Sequence, residues 1–279
     1  FESTQLDLGG NDAIAVGDGE NTVVGGYGND QIVTGGGSDL VLGDNGEVSY
    51  TPGTEQLAHV VSTDAGNGTG GNDEIVSGEG DNVVVAGVGA DSVSAGSGSD
   101  LVIGDNGRID WTAAGEYSQF QTSDLGLGGN DDLRVGDGDN LVAGGYGADV
   151  IETGVGLDGI LGDNGSFEYT TDGSGNAILT LAETTDSTAA TGGNDVIVSG
   201  GGTADNLVLA GMGDDRVNQP AQSGSEPVPA TSSGTDTVFG DNGLITWDTA
   251  GRITGFESTQ LDLGGNDAIA VGDGENTVV

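Results

Sequence analysis

Apolar residues occur in this chain as very short runs set at a fixed interval. Ile14, Val23-Val24, Ile32-Val33 and Leu40-Val-Leu42 are separated by glycine-rich, polar stretches of about six residues, so the apolar positions return every nine residues. Three residues are too few for a helical turn and enough for a minimal strand, so the pattern predicts three-residue strands joined by six-residue turns. Helical spacing is absent. A second pattern interrupts the first at regular places. After each Gly-Asp-Asn-Gly, at 43–46, 104–107, 162–165 and 240–243, the chain alternates polar and apolar residues: Glu47-Val-Ser-Tyr50, Arg108-Ile-Asp-Trp111, Ser166-Phe-Glu-Tyr169 and Leu244-Ile-Thr-Trp247. A glycine and a second alternating arm follow each, which predicts a β-hairpin.

The repeats exist at two scales. Residues 256–279 are identical to residues 1–24, a period of 255 residues, so the chain reads as one unit of a tandem array with the start of the next. Within the unit, Gly-Gly-Asn-Asp opens four blocks, at 9–12, 70–73, 128–131 and 192–195, and returns at 264–267. The expected organisation is roll blocks at 8–46, 70–107, 128–165 and 192–243, with a proline-bearing loop at 218–234. Hairpins are expected at 47–69, 108–127, 166–191 and 244–263, residues 1–7 end a preceding hairpin, and 264–279 begin the next copy.

Composition sharpens this picture. Fifty-eight of 279 residues are glycine, aromatics are 4%, cysteine is absent, and the formal net charge is −42. So acidic a chain does not neutralise phosphates, which excludes a nucleic-acid partner. No apolar run approaches a membrane span. Disulfides are unavailable, and buried aliphatic triplets return less free energy than the ordering of so glycine-rich a backbone costs. Some other agent must hold the fold.

The fullest nonapeptide, Gly25-Gly-Tyr-Gly-Asn-Asp30-Gln-Ile-Val33, fits Gly-Gly-x-Gly-x-Asp-x-U-x with U aliphatic. Two nonapeptides make one coil of 18 residues, which stacks Asp12 with Asp30, Asn21 with Asp39, Asp73 with Asp91, and Asp131 with Asp149. Stacked turns offer carboxylates and inward carbonyls, the hard oxygen set that calcium prefers, while soft ligands are missing. The metal-free chain is therefore expected to be disordered and the calcium-loaded chain folded.

These motifs resemble the repeats-in-toxin (RTX) calcium-binding family over well more than half of the chain. The resemblance implies an all-β fold, a right-handed parallel β-roll or β-solenoid with calcium at its glycine-rich turns, here with inserted β-hairpins. It also implies type I secretion and an extracellular or cell-surface place in a bacterium. Carried over by matching position, the calcium ligands are Asp12, Asp30, Asp39, Asp73, Asp91, Asp100, Asp131, Asp149, Asp158, Asp195, Asp215 and Asp236, with Asp267 opening the next copy. Asparagine departs from the motif at Asn21, Asn82, Asn140 and Asn206, with an acid three positions earlier at Asp18, Glu79 and Asp137, so those turns bind with rearranged ligands or more weakly. In the Gly-Asp-Asn-Gly turns the sixth position falls on Val48, Ile109, Phe167 or Ile245, so any ligand there is Asp44, Asp105, Asp163 or Asp241.

The hairpins are expected either to project as arms or to pack across the next coil. Tyr50, Trp111, Tyr169 and Trp247 read as hairpin packing, against a contact between subunits. His59 is the only histidine and gives no serine an evident base, so no catalysis is expected. The first functional reading is a calcium-rigidified structural segment of a secreted filament, fibre or adhesin stalk, which self-associates or continues into identical tandem copies. The rivals are a carbohydrate- or ice-binding adhesin module and the RTX region of a toxin or hydrolase whose catalytic domain lies elsewhere. The binding module predicts a flat, regular outward array, and the irregular residues after each block's first Asp, Ala13, Glu74, Asp132 and Val196, weaken that reading.

Overall fold

The computed structural model describes residues 1–4, 8–64, 69–219 and 233–279, so most of the loop expected at 218–234 lies outside the described residues. The described chain is all β. Two parallel sheets of nine strands each run side by side, and the chain passes from one to the other at every turn. Sheet I runs from Ala13–Ala15 through Gln31–Val33 and Glu74–Val76 to Ala268–Ile269. Sheet II runs from Thr22–Val24 through Leu40–Leu42 and Val83–Val85 to Thr277–Val278. Successive strands in each sheet pair in register, as in Ala13↔Gln31, Ile14↔Ile32 and Ile32↔Ile75. This is a parallel β-roll.

The hairpins do not project as arms but pack along the roll. They pair with one another into sheet III, eight antiparallel strands running from Ile253–Ser258 to Gly46–Tyr50. Each hairpin joins the next through residues such as Val60↔Ile109, Phe120↔Phe167 and Ala182↔Ile245. Sheet III lies against the outer side of sheet II, so the molecule has three layers and two cores. The inner core holds the middle residue of each roll strand, including Ile32, Val41, Ile75, Val84, Val102 and Leu133. The outer core joins Leu40, Leu42, Leu101 and Ile103 of sheet II to Val48, Val60, Ile109, Phe120 and Phe167 of sheet III.

Burial on both faces explains a difference in sequence between the two sheets. Several sheet II strands, including Leu40–Leu42, Leu101–Ile103 and Leu207–Leu209, are apolar throughout with all three residues buried, whereas Thr22–Val24 at the edge buries only Val23. Most sheet I strands bury only the middle residue, as in Ser92–Ser94 and Gln31–Val33, while Val196–Val198 also buries Val198.

Candidate metal centres along the roll edges

The hairpins enter the roll inside a turn. Along the edge leading from sheet II to sheet I, whole nonapeptide turns such as 25–30 and 86–91 alternate with turns that the hairpins split. The Asp44 N–H donates to the Ala86 carbonyl at 3.1 Å, just as the Gly26 N–H donates to the Gly43 carbonyl at 2.9 Å, so Asp44 takes the second position of its turn. After the hairpin, Gly70-Gly-Asn-Asp73 supplies the third to sixth positions. The Asn72 N–H donates to Asn29 Oδ1 at 3.1 Å and the Asp30 N–H to Asp73 Oδ1 at 2.8 Å. The missing sixth-position aspartate of the Gly-Asp-Asn-Gly turn is thus Asp73, and likewise Asp131, Asp195 and Asp267.

Once the split turns are closed, the sixth positions on this edge form one unbroken column of aspartates. Each accepts a backbone N–H from the aspartate one coil earlier: Asp12 to Asp30 at 2.7 Å, Asp30 to Asp73 at 2.8 Å, Asp73 to Asp91 at 2.7 Å, Asp91 to Asp131 at 2.8 Å and Asp131 to Asp149 at 2.8 Å. The column continues through Asp195 and Asp215 to Asp267, at 2.8, 2.8 and 3.0 Å. Oδ1 is used in every rung; Oδ2 is not. The Oδ2 atoms of Asp30, Asp73, Asp91, Asp131, Asp149, Asp195 and Asp215 are buried and lack a hydrogen-bond donor. Each leaves a buried carboxylate oxygen uncompensated, which is costly without a counter-charge.

Burial, followed by the charges of Asp73 and Asp44, pushes the Asp91 carboxyl up to about 9. Burial likewise holds Asp73 and Asp149 up at about 7. Around these oxygens the backbone adds more oxygen. A Cβ on Gly25 would overlap both Asp30 Oδ2 and the Gly43 carbonyl of the next coil, and one on Gly144 both Asp149 Oδ2 and the Gly162 carbonyl. Carboxylate and carbonyl oxygens converge where only glycine leaves room. Among the described residues no three His, Cys, Asp or Glu side chains gather at one point, so a cation here draws on carbonyls as well as carboxylates. That donor set fits calcium.

The other edge, from sheet I to sheet II, is built differently. Its column alternates: Asn21, Asp39, Asn82, Asp100, Asn140, Asp158, Asn206 and Asp236, again linked by N–H to Oδ1 rungs of 2.8 to 3.1 Å. The Asn82 amide Nδ2 donates to the Gly78 and Gly80 carbonyls of its own turn at 3.0 and 2.8 Å and to Asp100 Oδ1 at 2.9 Å. Asn21 and Asn140 repeat the arrangement. The NH2 group sits among three oxygens, where a cation would otherwise be drawn. The acids three positions earlier serve a different end, since Asp18, Glu79 and Asp137 accept backbone N–H groups of Gly36, Ser97 and Val155 at 3.0, 3.1 and 2.8 Å. Asp39, Asp100 and Asp236 keep an unpartnered buried Oδ2, whereas Asp158 Oδ2 accepts the Thr153 hydroxyl at 2.7 Å.

The second-position aspartates close the split turns. Asp44 accepts Gly71 N–H at 3.1 Å on Oδ1 and Val88 N–H at 2.6 Å on Oδ2. Asp105 does the same with Gly129 and Tyr146, and Asp163 with Gly193 and Met212. Asp241 accepts Gly265 N–H at 2.8 Å. Burial, then the Asp73 and Asp64 charges, raises Asp44 to about 9. The two ends of the chain are more open: Asp12 is exposed and Asp267 half-buried.

His59 is not isolated. Ser49 Oγ lies 2.9 Å from its Nδ1 and Glu47 Oε1 3.2 Å from its Nε2, all on the outer face of sheet III. Trp111, Tyr117 and Tyr169 meet edge-on, with centroids 6.4 and 6.1 Å apart, and pack with Trp247 against the outer core.

Stacked glycine-rich turns bearing inward aspartates define a calcium-binding parallel β-roll. The family described as RTX calcium-binding nonapeptide repeat (4 copies) matches residues 8–47, 67–102 and 125–160. The chain carries RTX repeats, and such repeats bind calcium ions in multiple copies. The fourth block, in which the step from Asp195 to Asn206 and that from Asp215 to Asp236 exceed nine residues, lies outside the match. No curated protein and no solved structure matches the chain.

Proposed function

We propose that this chain is a calcium-stiffened structural segment of a secreted bacterial surface filament, fibre or adhesin stalk, divided into four roll blocks and four hairpins. The observation that carries this reading is the aspartate column, whose buried Oδ2 atoms need a cation and have none from the protein. Calcium is held by Asp30, Asp73, Asp91, Asp131, Asp149, Asp195 and Asp215 on one edge and by Asp39, Asp100 and Asp236 on the other, with carbonyls completing each shell. The asparagine turns stay metal-free, because the amide already bridges the carbonyls. Asp44, Asp105, Asp163 and Asp241 hold the turns together rather than the ion. The Ser49–His59–Glu47 chain lies on an open strand face and is read as a pinned imidazole, not as catalytic machinery. Circular dichroism of calcium-stripped protein tests the reading: β signal appears on adding millimolar calcium, and equal signal in both states overturns it.

A cleft of about 570 Å3 supports a second reading as a carbohydrate-binding module. Tyr169 and Trp247 line it together with Asp158, Asp205 and Asn206, an apolar ring surface beside hydrogen-bonding groups. Titration of oligosaccharides against Trp247 fluorescence decides this: no change with any sugar removes it.

A further inference from the structure

One sequence is seen here twice, at the two ends of the roll, because residues 256–279 repeat residues 1–24. At the first end, Phe1, Glu2 and Ser3 lie along the strand Gly46–Tyr50. Glu2 bridges Glu47, the Val48 N–H donates to the Phe1 carbonyl at 2.9 Å, and the Ser3 N–H donates to the Gly46 carbonyl at 2.9 Å. At the second end the same residues, Phe256, Glu257 and Ser258, pair with Ile245, Leu244 and Gly243 of their own hairpin. The first contact has the register of a junction between hairpins, Val60↔Ile109 and Val61↔Arg108. The second has the register within a hairpin, Val48↔Val60 and Glu47↔Val61. The two ends therefore show the two opposite edges of one strand, each satisfied in turn.

A side-chain staple marks the same equivalence. The first glycine of each hairpin donates its N–H to a hydroxyl of the preceding one: Gly107 to Ser62 at 2.9 Å, Gly165 to Thr122 at 3.1 Å and Gly243 to Thr184 at 3.1 Å. Gly46 donates to Ser3 at 3.1 Å in the same way. Packing agrees. Val60, Phe120 and Ala182 are fully buried, whereas Phe256, next in that row, is 45% exposed and its twin Phe1 57% exposed. Each lacks the layer that the other end supplies. In the roll itself, Ala13–Ala15 pairs on one side with Gln31–Val33, and its twin Ala268–Ile269 pairs on the other side with Arg216–Val217.

We propose that successive 255-residue units fuse head to tail into a single solenoid, the last 24 residues described here forming the first coil of the following unit with no linker or cap between. This rests on the structural reading above and extends it. All three sheets run through the junction. The strand Ile253–Ser258 becomes internal, Phe256 becomes buried, and Asp267 gains the Asp30 of the following unit as its ladder partner. Such head-to-tail contacts do not close, so the array is open-ended. Eight coils at about 4.8 Å each advance the axis by roughly 38 Å per unit.

The test compares the 279-residue chain with a protein of two units, residues 1–255 followed by 1–279. Cysteine is absent from the chain, so Phe256→Cys gives one thiol. With calcium present, that thiol reacts readily in the 279-residue chain and at least about tenfold more slowly at the junction of the two-unit protein. Equal rates overturn the proposal. Small-angle scattering of the unsubstituted proteins provides a second arm: one straight rod, longer by roughly 38 Å, is expected, and two jointed bodies overturn fusion. A 279-residue chain that folds equally well without calcium refutes the metal reading instead, and leaves the thiol comparison valid.

Discussion

The Asp73 N–H donates to Asp91 Oδ1 at 2.7 Å, while Asp91 Oδ2 is buried with no donor. One oxygen of the carboxylate thus belongs to the backbone ladder and the other to whatever fills the turn. Replacement by asparagine separates the two roles. Asp91→Asn retains the ladder acceptor and brings its own NH2, as Asn82 does, so the roll persists with one calcium fewer. Elemental analysis of the folded, dialysed protein checks this, and an unchanged stoichiometry removes Asp91 from the ligand set. At free calcium tenfold above the dissociation constant, the site lost corresponds to about 1.4 kcal/mol of linkage.

The reverse exchange should create a site. Asn82→Asp removes the amide from among the Gly78 and Gly80 carbonyls and Asp100 Oδ1, leaving oxygens alone. The calcium count rises by one, and the calcium-stripped protein becomes less stable. A count that stays the same refutes the amide's role as a plug.

Acidity and calcium act in opposite directions on the fold. Burial raises Asp73 to about 7 and Asp91 to about 9 from an ordinary 3.8, so the metal-free fold binds protons that the unfolded chain has released. That contribution is fully present below pH 4 and is lost as pH rises through about 7 to 9. Calcium-stripped protein therefore keeps more β signal at pH 4.5 than at pH 8. Calcium affinity instead rises with pH over this range, since the metal displaces those protons. Circular dichroism and calcium titrations at several pH values read both trends, and a metal-free signal that grows with pH contradicts them.

Sheet III contributes through packing rather than metal. Phe120 is fully buried against Phe167, with ring centroids 6.0 Å apart. Phe120→Ala should cost about 3–5 kcal/mol in calcium-saturated protein while leaving the calcium count unchanged. Chemical denaturation monitored beside elemental analysis separates the two effects.

Much of this was legible in the spacing of residues. The nine-residue interval places Asp12 beside Asp30 and Asn21 beside Asp39, and both pairs are hydrogen-bonded in the structure. The stacking of Asp30 on Asp73 was hidden, because 43 residues separate them and the hairpin interrupts the period. Removing 45–69 restores an 18-residue step, a signal that lies in the sequence for any reader who treats the hairpin as an insertion. The mutual pairing of the hairpins was hidden for another reason: strand alternation reports which face is buried, not which neighbour covers it. The uniformly apolar Leu40–Leu42 and Leu101–Ile103 carry a signal of burial on both faces that went unread, because a three-residue run is too short to separate it from an ordinary roll strand.

All three sheets stack their strands across the long axis, so the backbone hydrogen bonds between coils point along it. Tension applied to the two extremities acts on those bonds one rung after another instead of shearing many together. Rupture then starts at a terminal coil and travels inward, and a bound ion between two coils behaves as a rivet that each step must break.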